Sequence, residues 1–164
     1  ANVLNAMRTC GKLIIGRVQG KTVGGGVGLI AACDYVLATE NAAVKLSEFT
    51  IGIGPFVIEP AVRRKIGVAG VSELTLDATH WKSAYWAKEK GLFATVLETQ
   101  TALDSEVEIL SEKLASYHPE ALAAMKKAMW EGTENWDSLL AERAAISGHL
   151  VLSEFTKIAL SKYK

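Results

Sequence analysis

Cysteine is scarce in this 164-residue chain, with Cys10 and Cys33 the only two. Two thiols make no disulfide framework and no metal-ligand spacing. Both sit among small apolar residues, so buried free thiols and a reducing, cytoplasmic setting are expected. A charge excess is missing too: 18 basic residues balance 18 acidic ones, which excludes the basic stripe of a nucleic-acid binder. Short clusters such as Arg63-Arg64-Lys65 and Lys126-Lys127 read as solvated helix faces. Long apolar runs are absent: Val27 to Cys33 falls far short of the roughly 20 residues of a bilayer span. The three histidines, His80, His118 and His149, show no i,i+4 pairing, so no metal site is expected. The first residue is Ala1 rather than Met, and Ala1 to Cys10 reads as the last turns of a helix ending at Gly11. The chain is therefore expected to begin within a domain, with an N-terminal portion missing.

What the chain has is an ordered succession of short strands followed by helices. Lys12 to Gln19 is mostly apolar with β-branched residues and reads as a buried strand. Gly26 to Cys33 reads as a small-residue helix, Asp34 to Thr39 and Ala43 to Leu46 as strands, and Ser47 to Phe56, with Gly52, Gly54 and Pro55, as a loop. From Pro60 the pattern turns helical, with Gly67 capping a first helix and Gly70 to Ala78 following it. Ser83 to Lys90 has a good N-cap and a terminal Gly91, and Leu92 to Leu97 reads as a last strand. Asp104 to Tyr117, Pro119 to Glu131 and Glu134 to roughly Leu160 then read as three helices with apolar residues three and four apart. The tryptophans, Trp81, Trp86, Trp130 and Trp136, are expected as buried anchors.

The chemistry is concentrated in Gly24-Gly25-Gly26-Val27-Gly28 and in Leu46-Ser47-Glu48. A glycine cluster opening a helix lets backbone N–H groups point at a developing negative charge, and a carboxylate in an apolar setting can move a proton. Gly26-Val27-Gly28-Leu29-Ile30-Ala31 also matches a G-x-G-x-x-A dinucleotide fingerprint. That reading fits poorly. Gly20 to Gly25 intervene after the strand, and Glu40 and Glu48 are both misplaced for a ribose contact. A third reading is that the glycines merely allow close packing and positive φ.

Several spaced blocks occur in a fixed order: Lys12 to Gly20, Gly24-Gly25-Gly26, Ala31-Ala32-Cys33-Asp34, Ala38 to Ala42, Leu46-Ser47-Glu48 and Ile51 to Pro55. Leu76-Asp77-Ala78 and Ala87 to Leu92 follow. Together, over roughly Met7 to Val96, they resemble the enoyl-CoA hydratase/isomerase (crotonase) family. Gly26 to Asp34 and Ile51 to Pro60 look most like its bacterial methylglutaconyl-CoA hydratase branch, which works in leucine breakdown. The resemblance implies an α/β (α+β) fold of ββα units in a spiral over residues 1–97. It implies a helical region over 98–164 that builds homotrimers, often paired into hexamers. It also implies an acyl-CoA thioester substrate and no cofactor beyond the coenzyme A carried by that substrate.

By position, the resemblance makes the N–H of Gly25 one of two oxyanion donors, with Gly24, Gly26 and Gly28 against the substrate. The second donor, and most contacts to the adenine end of coenzyme A, are expected in a segment N-terminal to Ala1. Two-glutamate hydratases of the family carry a glutamate two residues after the triple glycine; this chain has Gly28 there and keeps only the second position, Glu48. Glu48 is the expected acid/base. Glu59 is a second carboxylate that either substitutes for the missing one or simply starts a helix. Phe56 and Val57 are expected to line an acyl pocket for a short branched chain. The reaction read from these parts is hydration or dehydration of an enoyl-CoA. A single-glutamate isomerase and a non-catalytic CoA-binding scaffold remain as alternatives.

Overall fold

The computed structural model describes residues 1–162. Helix α1 (Asn2–Thr9) leads into β1 (Ile15–Val18) and β2 (Lys21–Val23), followed by α2 (Gly25–Ala32). The pattern repeats as β3 (Tyr35–Thr39), β4 (Ala43–Lys45), a 3-10 turn (Glu48–Ile51) and α3 (Glu59–Leu76). Then come β5 (Lys82–Ser83), α4 (Ala84–Glu89) and β6 (Thr95–Leu97). The chain continues through α5 (Gln100–Ala115), α6 (Pro119–Met129), α7 (Trp136–Val151) and α8 (Glu154–Ser161).

The first strands of the two ββα turns, β1 and β3, are joined by β6 in one sheet, ordered β1-β3-β6 and wholly parallel. The second strands form another, ordered β2-β4-β5, with β2 and β4 parallel and β5 antiparallel. Two strands and a helix per turn, with like strands stacking on like, is the expected ββα spiral. The core lies between the sheets and the helices. Val27, Ala31 and Ala32 of α2, Val36 to Ala38 of β3, and Ala61 and Val62 of α3 are at most 1% exposed. Helix α2 is apolar nearly all round because sheet and helices enclose it.

Several sequence expectations shift. The stretch Lys21–Val23, taken with the glycines, is a strand held by parallel pairing to Ala43–Lys45, a partnership that local pattern cannot reveal. Gly67 does break the helical run, with φ 69°, but the halves stay joined as one bent α3. The expected single last helix is two: Ser153 caps α8 by accepting from the Thr156 N–H at 3.3 Å. Trp130 and Trp136 are buried and meet edge to face at 5.7 Å. Trp81 is instead 38% exposed, with the ammonium groups of Lys21 and Lys45 over its ring. Cys33 is buried as expected, whereas Cys10 is half-buried. Residues 163–164 of the expected helical region lie outside the described residues. No helix of the described residues is long and apolar enough to cross a membrane.

Candidate active site

Strands β2 and β4 run side by side in the same direction, with Val23 opposite Lys45. They therefore leave the sheet at the same end, and the residues that follow each must meet. After β2 comes Gly24, with φ 57° and ψ −125°, backbone that only glycine adopts readily. Its N–H donates to the Lys45 carbonyl at 3.0 Å, which pins the exit of β2 to the exit of β4. The Gly24 carbonyl then accepts from Val27 and Gly28, at 2.9 and 3.4 Å, and starts α2. The Gly25 and Gly26 N–H groups belong to that first turn, so no carbonyl within the helix can satisfy them. The helix dipole adds to their positive potential. A Cβ at Gly26 would lie 2.7 Å from Thr22 Cγ2, so any side chain there would force Thr22 to move.

After β4 comes Leu46, 1% exposed and anchored in the core, then Ser47 and Glu48 at the head of the 3-10 turn. The Glu48 carboxyl lies against Gly24: a Cβ there would stand 3.1 Å from Glu48 Oε1. Its Oε2 is buried and finds no hydrogen-bond partner among the described residues. Burial pushes the Glu48 carboxyl above the ordinary carboxylate value, opposed in part by a hydrogen bond from its own backbone N–H. A carboxyl with one desolvated, unpartnered oxygen and a raised pKa holds a proton more readily than an exposed one and is suited to take and return it. Beside it, the unsatisfied N–H groups of α2 supply a cradle for negative charge.

The other candidates separate. Gly28 is buried in α2 under Ile58, whose Cβ would stand 2.6 Å from a Cβ at Gly28. The space in which a side chain from that position would begin is filled by an isoleucine. Glu59 opens α3 and stands 3.8 Å from Arg63 Nη1. It lines two cavities, of 470 and 300 Å³, neither of which is bordered by Gly24, Gly25, Gly26 or Glu48. Phe56 borders the 300 Å³ cavity, together with Phe49 and Pro55. Val57 turns the other way and packs against the core. Glu48 and the triple glycine thus come together, while Phe56 and Glu59 border a cavity that neither of those lines.

Two participants were not anticipated. Ile58 gave no signal beyond being apolar just ahead of a helix start. The terminal helix α8 sits on the turn that carries Glu48: a Cβ at Gly52, whose φ is 80°, would lie 2.8 Å from Thr156 Oγ1. Thr156 is fully buried and donates to the Leu150 carbonyl. Its place in a helical stretch was visible, but its target, far away in sequence, was not.

Known proteins resemble this chain in sequence and fold. The family model described as Enoyl-CoA hydratase/isomerase matches residues 1–156. The 2,3-dehydroadipyl-CoA hydratase of Escherichia coli K12 is 32% identical over 124 residues, 75% of this chain and 48% of that protein. The peroxisomal Delta(3,5)-Delta(2,4)-dienoyl-CoA isomerase of Arabidopsis thaliana is 29% identical over 135 residues, 80% of this chain and 47% of that protein. The chain thus spans about half the length of the curated relatives it matches. Among solved structures, an enoyl-CoA hydratase from Mycobacterium avium superposes with a TM-score of 0.90 over 99% of this chain and 63% of its own, at 24% identity. That likeness establishes the crotonase-like fold.

Proposed function

The chain belongs to the enoyl-CoA hydratase/isomerase family, and on that premise we propose that it adds or removes water across the C=C bond of a short or branched enoyl-CoA. The thioester oxygen accepts a hydrogen bond from the Gly25 N–H, and the enolate-like charge of the transition state is stabilised there. In hydration Glu48 takes a proton from the water as the water oxygen bonds to the β-carbon, and returns a proton to the α-carbon; in dehydration it takes the α-proton and gives it to the departing hydroxyl. The acyl chain runs past Gly24 and Gly26 toward Phe56. Coenzyme A enters as part of the substrate, and no metal or redox group takes part. The observation that carries this reading is the pairing of one carboxyl, half-buried and with an oxygen that no described residue satisfies, with the free N–H groups at the head of α2. Following the likeness to the methylglutaconyl branch, 3-methylglutaconyl-CoA is the first substrate to test, with a cytoplasmic homotrimer or hexamer as the working assembly.

Ile58 over Gly28 favours a second reading. With no second carboxylate to hold a water molecule, Glu48 alone would shift a proton from one carbon to another, as in an enoyl-CoA isomerase. One experiment separates the two. The purified protein is given crotonyl-CoA and 3-methylglutaconyl-CoA, and separately a 3-enoyl-CoA. Hydration that disappears in Glu48→Gln supports the first reading. Double-bond migration without hydration, equally Glu48-dependent, supports the second. Undiminished turnover in Glu48→Gln overturns both.

A further inference from the structure

Helix α7 carries an arginine where its packing calls for an apolar residue. Its inward stripe runs Trp136, Leu139 and Leu140, then Arg143 and Ala144, then Ser147 and Leu150, all buried or half-buried. A guanidinium on such a stripe is costly to desolvate unless it has an anionic partner. Arg143 makes no ion pair or side-chain hydrogen bond among the described residues. Glu59, which lines the same cavity as Arg143, lies within 4 Å of Arg63 instead. Arg143 borders the 300 Å³ cavity whose apolar walls include Phe49, Phe56 and Leu76. A second unpaired polar group borders it as well: Thr75 Oγ1 is buried with no hydrogen-bond partner. Phe49 is the next residue after Glu48, so one end of this cavity adjoins the turn that holds the acid/base.

We propose that Arg143 is a specificity residue that receives a carboxylate at the far end of the acyl chain, so that the substrate is an enoyl-CoA whose chain terminates in a second carboxyl group. The apolar walls take the methylene or methyl portion. The guanidinium supplies paired N–H donors to the carboxylate, the geometry in which arginine binds carboxylates best. Thr75 donates its hydroxyl proton to the same group. The volume suits a short chain. The inference rests on the acyl-CoA reading above and narrows its substrate class.

The test compares glutaconyl-CoA with crotonyl-CoA in the wild-type protein, Arg143→Gln and Arg143→Lys. The readout is the ratio of the two kcat/KM values. Wild type is expected to favour the carboxylated substrate. In Arg143→Gln the ratio should fall roughly tenfold to a hundredfold, the worth of a charge-assisted hydrogen bond, chiefly through KM. Arg143→Lys should retain part of it. An unchanged ratio in Arg143→Gln, or no wild-type preference, overturns the inference. Calorimetric binding of glutaryl-CoA and butyryl-CoA, which cannot react, decides the matter independently of turnover. If no enoyl-CoA is converted, the reaction reading falls. In that case tighter binding of glutaryl-CoA that is lost in Arg143→Gln still supports the carboxylate site, and equal binding of the two overturns it.

Discussion

Two carboxylates flank helix α2, and they live in opposite circumstances. Asp34 follows its C-terminal end. Its side chain is 4% exposed and fully engaged: Trp130 Nε1 donates to Oδ1 at 2.7 Å, while the Ile14 N–H and Lys126 Nζ donate to Oδ2 at 2.8 and 2.6 Å. Even its carbonyl accepts, from Lys65 Nζ at 3.2 Å. Glu48 lies at the other end, against Gly24, with a buried oxygen that nothing satisfies. Burial alone therefore does not mark a chemical group. A buried charge with both oxygens engaged ties distant segments together, here α6 to the start of β3. A carboxyl with a buried oxygen left without a partner is held at a cost that a substrate can relieve.

The widest separation between the two should appear in turnover. Glu48→Gln is expected to cut kcat by roughly 10²- to 10⁴-fold, the usual worth of a positioned acid/base, while leaving the melting temperature unchanged or raised. A Glu48→Gln protein that melts much earlier would make Glu48 a structural residue like Asp34 and erase the contrast.

Asp34→Ala should do the reverse. Removing one partner of a buried ion pair leaves Lys126 and Trp130 uncompensated, so stability should fall by about 3–5 kcal/mol. Denaturant unfolding measures this. A loss below about 1 kcal/mol would mean that water replaces the network and the pairing counts for little.

A smaller effect sharpens the comparison within α2. Gly28→Ala forces a Cβ into Ile58 and should destabilise by about 1–3 kcal/mol through overpacking. Paired with Ile58→Ala, the loss should shrink. Gly28→Glu in that relieved background should raise hydration relative to double-bond migration if a second carboxylate is what the site lacks.

The smallest effect is in pH. Burial raises the Glu48 pKa above 4.5 in the folded chain, so the fold favours the protonated carboxyl. Its contribution to stability is greatest below the unfolded value and is lost as pH rises through the folded one. The difference in unfolding free energy between wild type and Glu48→Gln should therefore turn against wild type on going from acid to neutral pH. A flat difference would mean that Glu48 is solvated.

Much of this was legible in the chain because it is local. Gly24 to Gly26 opening a helix, Glu48 after a short strand, Ser83 as a cap and Gly67 as a break each follow from the chemistry of one or two residues. The β2 strand, the split between α7 and α8, and the exposed Trp81 were not legible. The first and last depend on partners far off in sequence, Ala43–Lys45 for β2 and Lys21 and Lys45 for Trp81, while the split had a local cue in Ser153 that the unbroken apolar spacing masked. Periodicity reports which face of an element is apolar, not what that face meets.

The sequence by itself determined the family, the order of the ββα units and the residue types brought to the site, because glycine conformation, helix capping and apolar spacing act over a few bonds. Only the tertiary structure decided what those residues do to one another. Parallel pairing of β2 with β4 carries Gly24 and Glu48 to the same end of a sheet. Packing of α2 on α3 puts Ile58 over Gly28. The distribution of partners leaves Glu48 unsatisfied and Asp34 saturated. Such outcomes rest on contacts between segments far apart in the chain. The cost of leaving a polar group unpaired, or of filling a space twice, is fixed only when those segments meet.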